Sequence, residues 1–290
     1  MSSGFIRLAP GVASIRSLGA TTFEDFFRAP GAPDAPGFER ARTIESRDGR
    51  EVLLVPLDNA PGDGFARVVR YTSCTWRDAC RARLTHPRST SLAEREWNLV
   101  CRARSLGIGA PEPLAVGRGE GDVFAQRSFL VVRELEGMLS LREWLRTPLD
   151  ASHRSQIASA LGGALARLFA AGIWLPHLTA DDICIGPPRN AAGADPDCIA
   201  RSIAALQGDI EEVRASVIAG ALRWGSAPEV AFTAFRDGRM VRSVSLARRL
   251  RLLRSLERDL RPIDRRTRLR IACAAVGPDA WRAVARAGCA

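Results

Sequence analysis

Every basic side chain in this 290-residue sequence apart from three histidines is arginine: 42 arginines and no lysine. A guanidinium keeps its proton at any physiological pH and offers a planar fork of donors that grips carboxylate or phosphate two-handed. The formal charge of +10 points to acidic partners, whether anionic lipid, a phosphorylated substrate or nucleic acid. One tyrosine and no strand with paired aromatics leave base stacking without a platform, so nucleic acid is the least favoured of these. His86, His153 and His177 lie far apart, and the seven cysteines are scattered with no C-x-x-C pair, which argues against zinc and for a reducing cytoplasm. Gly62-Asp-Gly64 is too short to count as a G-x-G-x-x-G phosphate loop.

These residues need elements to position them. Residues 1–40 carry few regular signals, and Arg28 to Gly37 is a loop by its proline and glycine content. Glu51–Pro56 and Phe65–Tyr71 are β-rich runs on either side of the turn-forming Asp58 to Gly64. A helix follows, opened by a Ser91/Glu94 capping box and ended at Gly107. Pro113–Val116 and Ser128–Leu135 read as two more strands. Beyond Leu139 the pattern turns helical: a short helix around Trp144, a buried one over residues 154–171, and a leucine stripe from Leu246 to Leu260 with arginines on its other faces. The most apolar stretch, Ile157 to Trp174, contains Arg167 and two glycines and reads as a core helix, not a membrane span. Met1 to Phe27 has no basic start leading into a long apolar run, so no secretory signal is expected. Strands with one helix, then helices, give an α+β chain divided near residue 136.

Three segments resemble the small lobe of the lipopolysaccharide kinase (Kdo/WaaP) family: Ser91-Leu-Ala-Glu-Arg-Glu-Trp97, Leu106 to Gly117, and Ser128 to Leu135. Ala170-Ala-Gly-Ile-Trp174 is similar to the run into that family's catalytic loop. The resemblance implies a bilobal protein-kinase-like fold. An irregular segment 1–40 would lead into a β-rich N-lobe over 41–136 and a mainly helical C-lobe over 137–290. It also implies roles. In such kinases a strand lysine holds the ATP phosphates and is held by a helix glutamate, while an aspartate base and two magnesium ligands act from the other lobe.

On this pattern Glu96 is the helix glutamate. Arg70 takes the lysine position, or Val69 does if the register shifts by one; pairing of Arg70 with Glu96 requires both on one side of the sheet. Arg133 and Leu135 fall in the linker that offers backbone groups to adenine. His177 stands where the base aspartate belongs; with a reference pKa of ~6.5 it can accept a proton but supplies no negative field. Asp182 stands at the asparagine position and can hold a divalent ion through oxygen. For the D-F-G aspartate two registers are open: Ala205, which deletes the metal ligand, and Asp209, which keeps it.

Three functions compete. The favoured one is a pseudokinase of this family that binds a ligand or partner. The second is an active ATP- and magnesium-dependent kinase that phosphorylates a sugar of a lipid-linked saccharide, the lipopolysaccharide core. The third is an unrelated basic protein that binds membrane or nucleic acid. A cytoplasmic location, peripheral at the inner membrane face with its anionic lipid surface, fits the first two.

Overall fold

The computed structural model describes residues 5–10, 12, 20, 22–30, 38–47, 49–57, 64–72, 91–119, 127–135, 137–147, 150–186 and 228–287. The chain divides into two compact units, Met1–Arg102 with Pro111–Glu136 and Ala103–Ala110 with Gly137–Ala290.

The first unit is built on six antiparallel strands: β1 (Phe5–Leu8), β2 (Arg42–Arg47), β3 (Arg50–Pro56), β4 (Phe65–Tyr71), β5 (Pro113–Arg118) and β6 (Ser128–Arg133), in the order β1-β5-β6-β4-β3-β2. Strand side chains alternate between faces, and both faces of this sheet are covered. Ala66, Val68, Phe129 and Val131 face one core with Phe23, Phe26 and Phe38. Val52, Val69, Tyr71, Leu130 and Val132 face a second, with Ala93 and Trp97 of helix α1 (Leu92–Ser105). Ser91 begins α1 as expected, its hydroxyl accepting the Glu94 N–H at 3.2 Å.

The expectation of an irregular segment before residue 41 needs correcting. Phe5–Leu8 forms an edge strand paired to β5, and a 3₁₀ turn at Glu24–Phe27 lays Phe26 flat against Phe129, ring centres 3.8 Å apart. A four-residue edge strand and a single turn held by aromatic burial leave too short a period to be seen in sequence.

The second unit contains β7 (Leu139–Ser140), α2 (Leu141–Arg146), α3 (Ala151–Ala170), β8 (Ile173–Trp174), β9 (Ile183–Gly186), β10 (Glu229–Phe232), β11 (Arg239–Met240), α4 (Leu246–Asp259), α5 (Arg265–Val276) and α6 (Pro278–Ala287). The strands form two small antiparallel sheets, β10-β9-β7 and β11-β8. As read from the sequence, α3 is a core helix: Leu161, Leu165 and Leu168 are fully buried. Its Gly162 lets α5 approach so closely that an added Cβ would lie 2.6 Å from Ala274 Cβ. No helix among the described residues is long and apolar enough to cross a membrane.

Candidate functional site

In the first unit the helix glutamate is placed as its spacing required. Glu96 is buried on α1 and points at β4. What meets it there is Tyr71, whose hydroxyl donates to Glu96 Oε2 at 2.5 Å. Arg70, one residue earlier, leaves the strand on the opposite face. It is 2 % exposed, lies 5.4 Å above the Phe38 ring, and donates to Glu51 Oε2 at 3.2 Å. The expected Arg70–Glu96 pair therefore does not form, and the reason is the two-residue period of a strand: 69 and 71 face the helix, 70 faces away. Val69 and Tyr71 both face the helix, and the one that meets Glu96 is Tyr71. Burial pulls the Arg70 guanidinium below its ordinary value, Glu51 offsets part of that, and its Nε and Nη2 have no hydrogen-bond partner among the described residues.

The positive charge near Glu96 comes from the neighbouring strand. Arg50 is opposite Tyr71 in the β3–β4 register, and its guanidinium acts electrostatically on the Tyr71 hydroxyl. Burial alone would lower the Arg50 pKa, but Glu96, then Tyr71 and Glu45, raise it above the usual arginine value. Arg50 also donates to Glu45 Oε2 at 2.7 Å. Burial first, and the Glu96 carboxylate second, push the Tyr71 phenol well above its ordinary pKa, so it stays a neutral donor. Sequence reading missed Arg50 because a residue on an adjacent strand has no fixed spacing to the helix it serves.

At the end of β6, Arg133 donates its N–H to Glu112 O at 2.7 Å and its Nε to Glu112 Oε2 at 2.9 Å. Glu134 follows, tied to Arg67 by two hydrogen bonds of 2.7 and 2.6 Å. Leu135 is partly exposed, with no hydrogen-bond partner among the described residues.

In the second unit the loop between β8 and β9 holds the other expected residues. His177 is exposed on it. Asp182 uses Oδ2 to cap its own 3₁₀ turn, accepting the Thr179 N–H at 2.9 Å and hydroxyl at 2.6 Å. Asp181 is held by Arg142 Nε at 2.6 Å, and Asp259 accepts both Arg142 Nη2 and the Ala180 N–H, so α2 and α4 brace the loop. A metal ion shared by Asp182 and a second ligand needs that ligand beside it. The chain that lies there is the end of β10: Thr233 donates its N–H (2.9 Å) and hydroxyl (3.2 Å) to Asp182 O. Ala234 and the buried Phe235 come next. Both registers proposed for the D-F-G position, Ala205 and Asp209, lie outside the described residues. Among the described residues no group of three or more His, Cys, Asp or Glu could hold a metal. After the four-residue strand β10 the sequence reads Thr233-Ala-Phe235, with no carboxylate among the three.

The family model for the lipopolysaccharide kinase (Kdo/WaaP) family matches residues 39–185, half of the chain, covering β2 through β9. The chain belongs to this family. Its β-rich unit and helical unit also resemble a solved structure, described as WaaP in complex with acyl carrier protein. That likeness has a TM-score of 0.57 at 15% identity and covers 93% of this chain and 88% of that one. At that identity it speaks to the fold alone. None of the curated proteins compared matches this chain. Membership in the lipopolysaccharide kinase family sets aside the reading as an unrelated basic protein, and it starts earlier in the chain than the quoted segments did.

Proposed function

We propose that this member of the lipopolysaccharide kinase family is a pseudokinase, acting by binding a ligand or partner and not by phosphoryl transfer. On this reading the two compact units are the two lobes of the kinase-like fold, and the protein works in the cytoplasm, peripheral to the inner membrane face. The observation that carries it is the partner of Glu96. Kinase catalysis needs the helix glutamate to hold a strand lysine that holds the phosphates. Here that glutamate is taken by the neutral hydroxyl of Tyr71 on a strand with no lysine. Thr233 and Ala234 beside Asp182 support the same reading, since neither brings a carboxylate. His177 at the base position leaves the site without the carboxylate that accepts the acceptor hydroxyl's proton in such kinases. ATP, if it binds, would meet the backbone groups of Leu135, with little help from magnesium. A protein partner belongs to this reading as well, because the structurally similar WaaP is in complex with acyl carrier protein.

One observation favours the active kinase instead: the Arg50 guanidinium on β3 lies in the field of Glu96, so a cation accompanies that carboxylate although the chain has no lysine. On that reading the acceptor is a sugar of a lipid-linked saccharide. The purified protein incubated with labelled ATP, magnesium and core-lipopolysaccharide acceptors decides between them. The pseudokinase reading expects no transfer above a no-enzyme blank. Transfer that disappears in Asp182→Ala and in Arg50→Ala establishes the kinase.

A further inference from the structure

The arginines of the second unit are not spread evenly. On α4, Arg248, Arg251, Arg254 and Arg258 are exposed and have no ion pair among the described residues. Their steps of three, three and four residues keep them within one third of the helix circumference, in a row about 15 Å long at 1.5 Å per residue. The helix's other arginine, Arg249, behaves differently: it turns inward, donates to Val244 O and Val276 O, and stacks over Phe169. The row is therefore the helix's solvent face and not a general property of its arginines. Past the end of α4 the charge continues through exposed Arg261 into the first turn of α5 at Arg265 and Arg266, again without ion pairs among the described residues. One turn on, Leu269 stands 41% exposed between Arg265, Arg266 and Arg270.

We propose that the outer face of α4 and the first two turns of α5 form a docking surface for an anionic lipid bilayer. The four arginines are strung along one side of a helix, which suits contact with a plane, and are not gathered around one point as a single anion would need. Arginine stays charged on approach to low dielectric and grips phosphate oxygens two at a time. An exposed leucine among arginines supplies the apolar side chain that an interfacial element buries among acyl chains. With no membrane-crossing helix among the described residues, attachment by such a face would be reversible and sensitive to salt. This inference rests on the layout of the second unit and holds for a pseudokinase or a kinase alike.

The test compares three forms of the full chain in co-sedimentation with vesicles of phosphatidylglycerol and phosphatidylcholine. These are the wild type, Arg251→Glu/Arg254→Glu/Arg258→Glu, and a charge-matched control, Arg47→Glu/Arg146→Glu/Arg167→Glu, which changes exposed arginines elsewhere. All six side chains are exposed, and unchanged melting curves confirm that each variant folds. The wild type is expected to bind at low salt and to release at high salt. The row variant should bind at least tenfold more weakly, since each basic residue near an anionic surface contributes about 1 kcal/mol. The control should stay within a few-fold of wild type, and the neutral Leu269→Asn should weaken binding at unchanged salt dependence. Equal loss in both triple variants, binding to pure phosphatidylcholine, or no binding at low salt overturns the proposal. Retention on immobilised polyglutamate without vesicle binding overturns it in favour of an acidic polypeptide. Release by inorganic phosphate far beyond that by chloride of equal ionic strength overturns it in favour of the free ion.

Discussion

Tyr71 is the chain's single tyrosine, so its ionisation can be followed without interference from another phenol. Its phenol is buried, donates to Glu96, and has a folded pKa raised well above 10.0. A group whose folded pKa lies above its unfolded one stabilises the fold fully below the unfolded value and loses that contribution as pH climbs past it. Stability should therefore fall above about pH 10, and tyrosinate absorbance should rise with unfolding and not before it. Tyr71→Phe should remove that alkaline loss. It should also cost roughly 1–3 kcal/mol at neutral pH, because the buried Glu96 carboxylate loses a donor; denaturant melts across the pH range check both. A simple titration of the phenol near pH 10 in the folded protein would show that the Tyr71–Glu96 contact is absent. At this scale the sequence was legible where a residue's place follows from its own helix, as with Glu96 facing β4. It was not where the role depends on which face a strand residue takes, as with Arg70, or on a neighbour across the sheet, as with Arg50.

At the scale of elements the longer periodic segments could be read. Strands β3 and β4, the Ser91 start of α1, and α3 lie where turn residues and apolar spacing put them. The short pieces could not: β1, β8, β10 and β11 have two to four residues each and take their places from tertiary pairing. The entry to β8 shows how strict those places are. Gly172 has φ +71°, and an added Cβ would sit 2.2 Å from Val241 O. Its own carbonyl accepts the Val241 N–H at 2.8 Å, which joins the β8 loop to β11. Gly172→Ala combines a left-handed backbone with a backbone clash and should cost more than ~2 kcal/mol. Gly163→Ala, on α3, where the nearest atom is the Arg167 guanidinium at 3.7 Å, should be neutral or slightly stabilising. Chemical denaturation of the two variants checks the contrast. A Gly172→Ala protein as stable as wild type would mean that the loop carrying His177 and Asp182 is not held in this position.

For the whole molecule, family membership was legible from a few local segments, because the order of strands and helix around them is set by strong periodic signals. The state of the catalytic machinery was less so. Lack of lysine can be read from composition, but the residue beside Asp182 follows from the pairing of β9 with β10, across an interval that no spacing rule spans. On the pseudokinase reading, this lipopolysaccharide-kinase family fold does not hold a magnesium-nucleotide for transfer. Melting curves with ATP, with and without magnesium, test it most directly. A ligand at a hundred times its Kd stabilises by about 2.7 kcal/mol, which a melting curve resolves easily. The prediction is the same melting temperature with ATP alone as with ATP and magnesium, and a magnesium-dependent rise only when Ala234→Asp supplies a carboxylate beside Asp182. A large magnesium-dependent rise in the wild-type protein, lost in Asp209→Ala or Asp182→Ala, would contradict it.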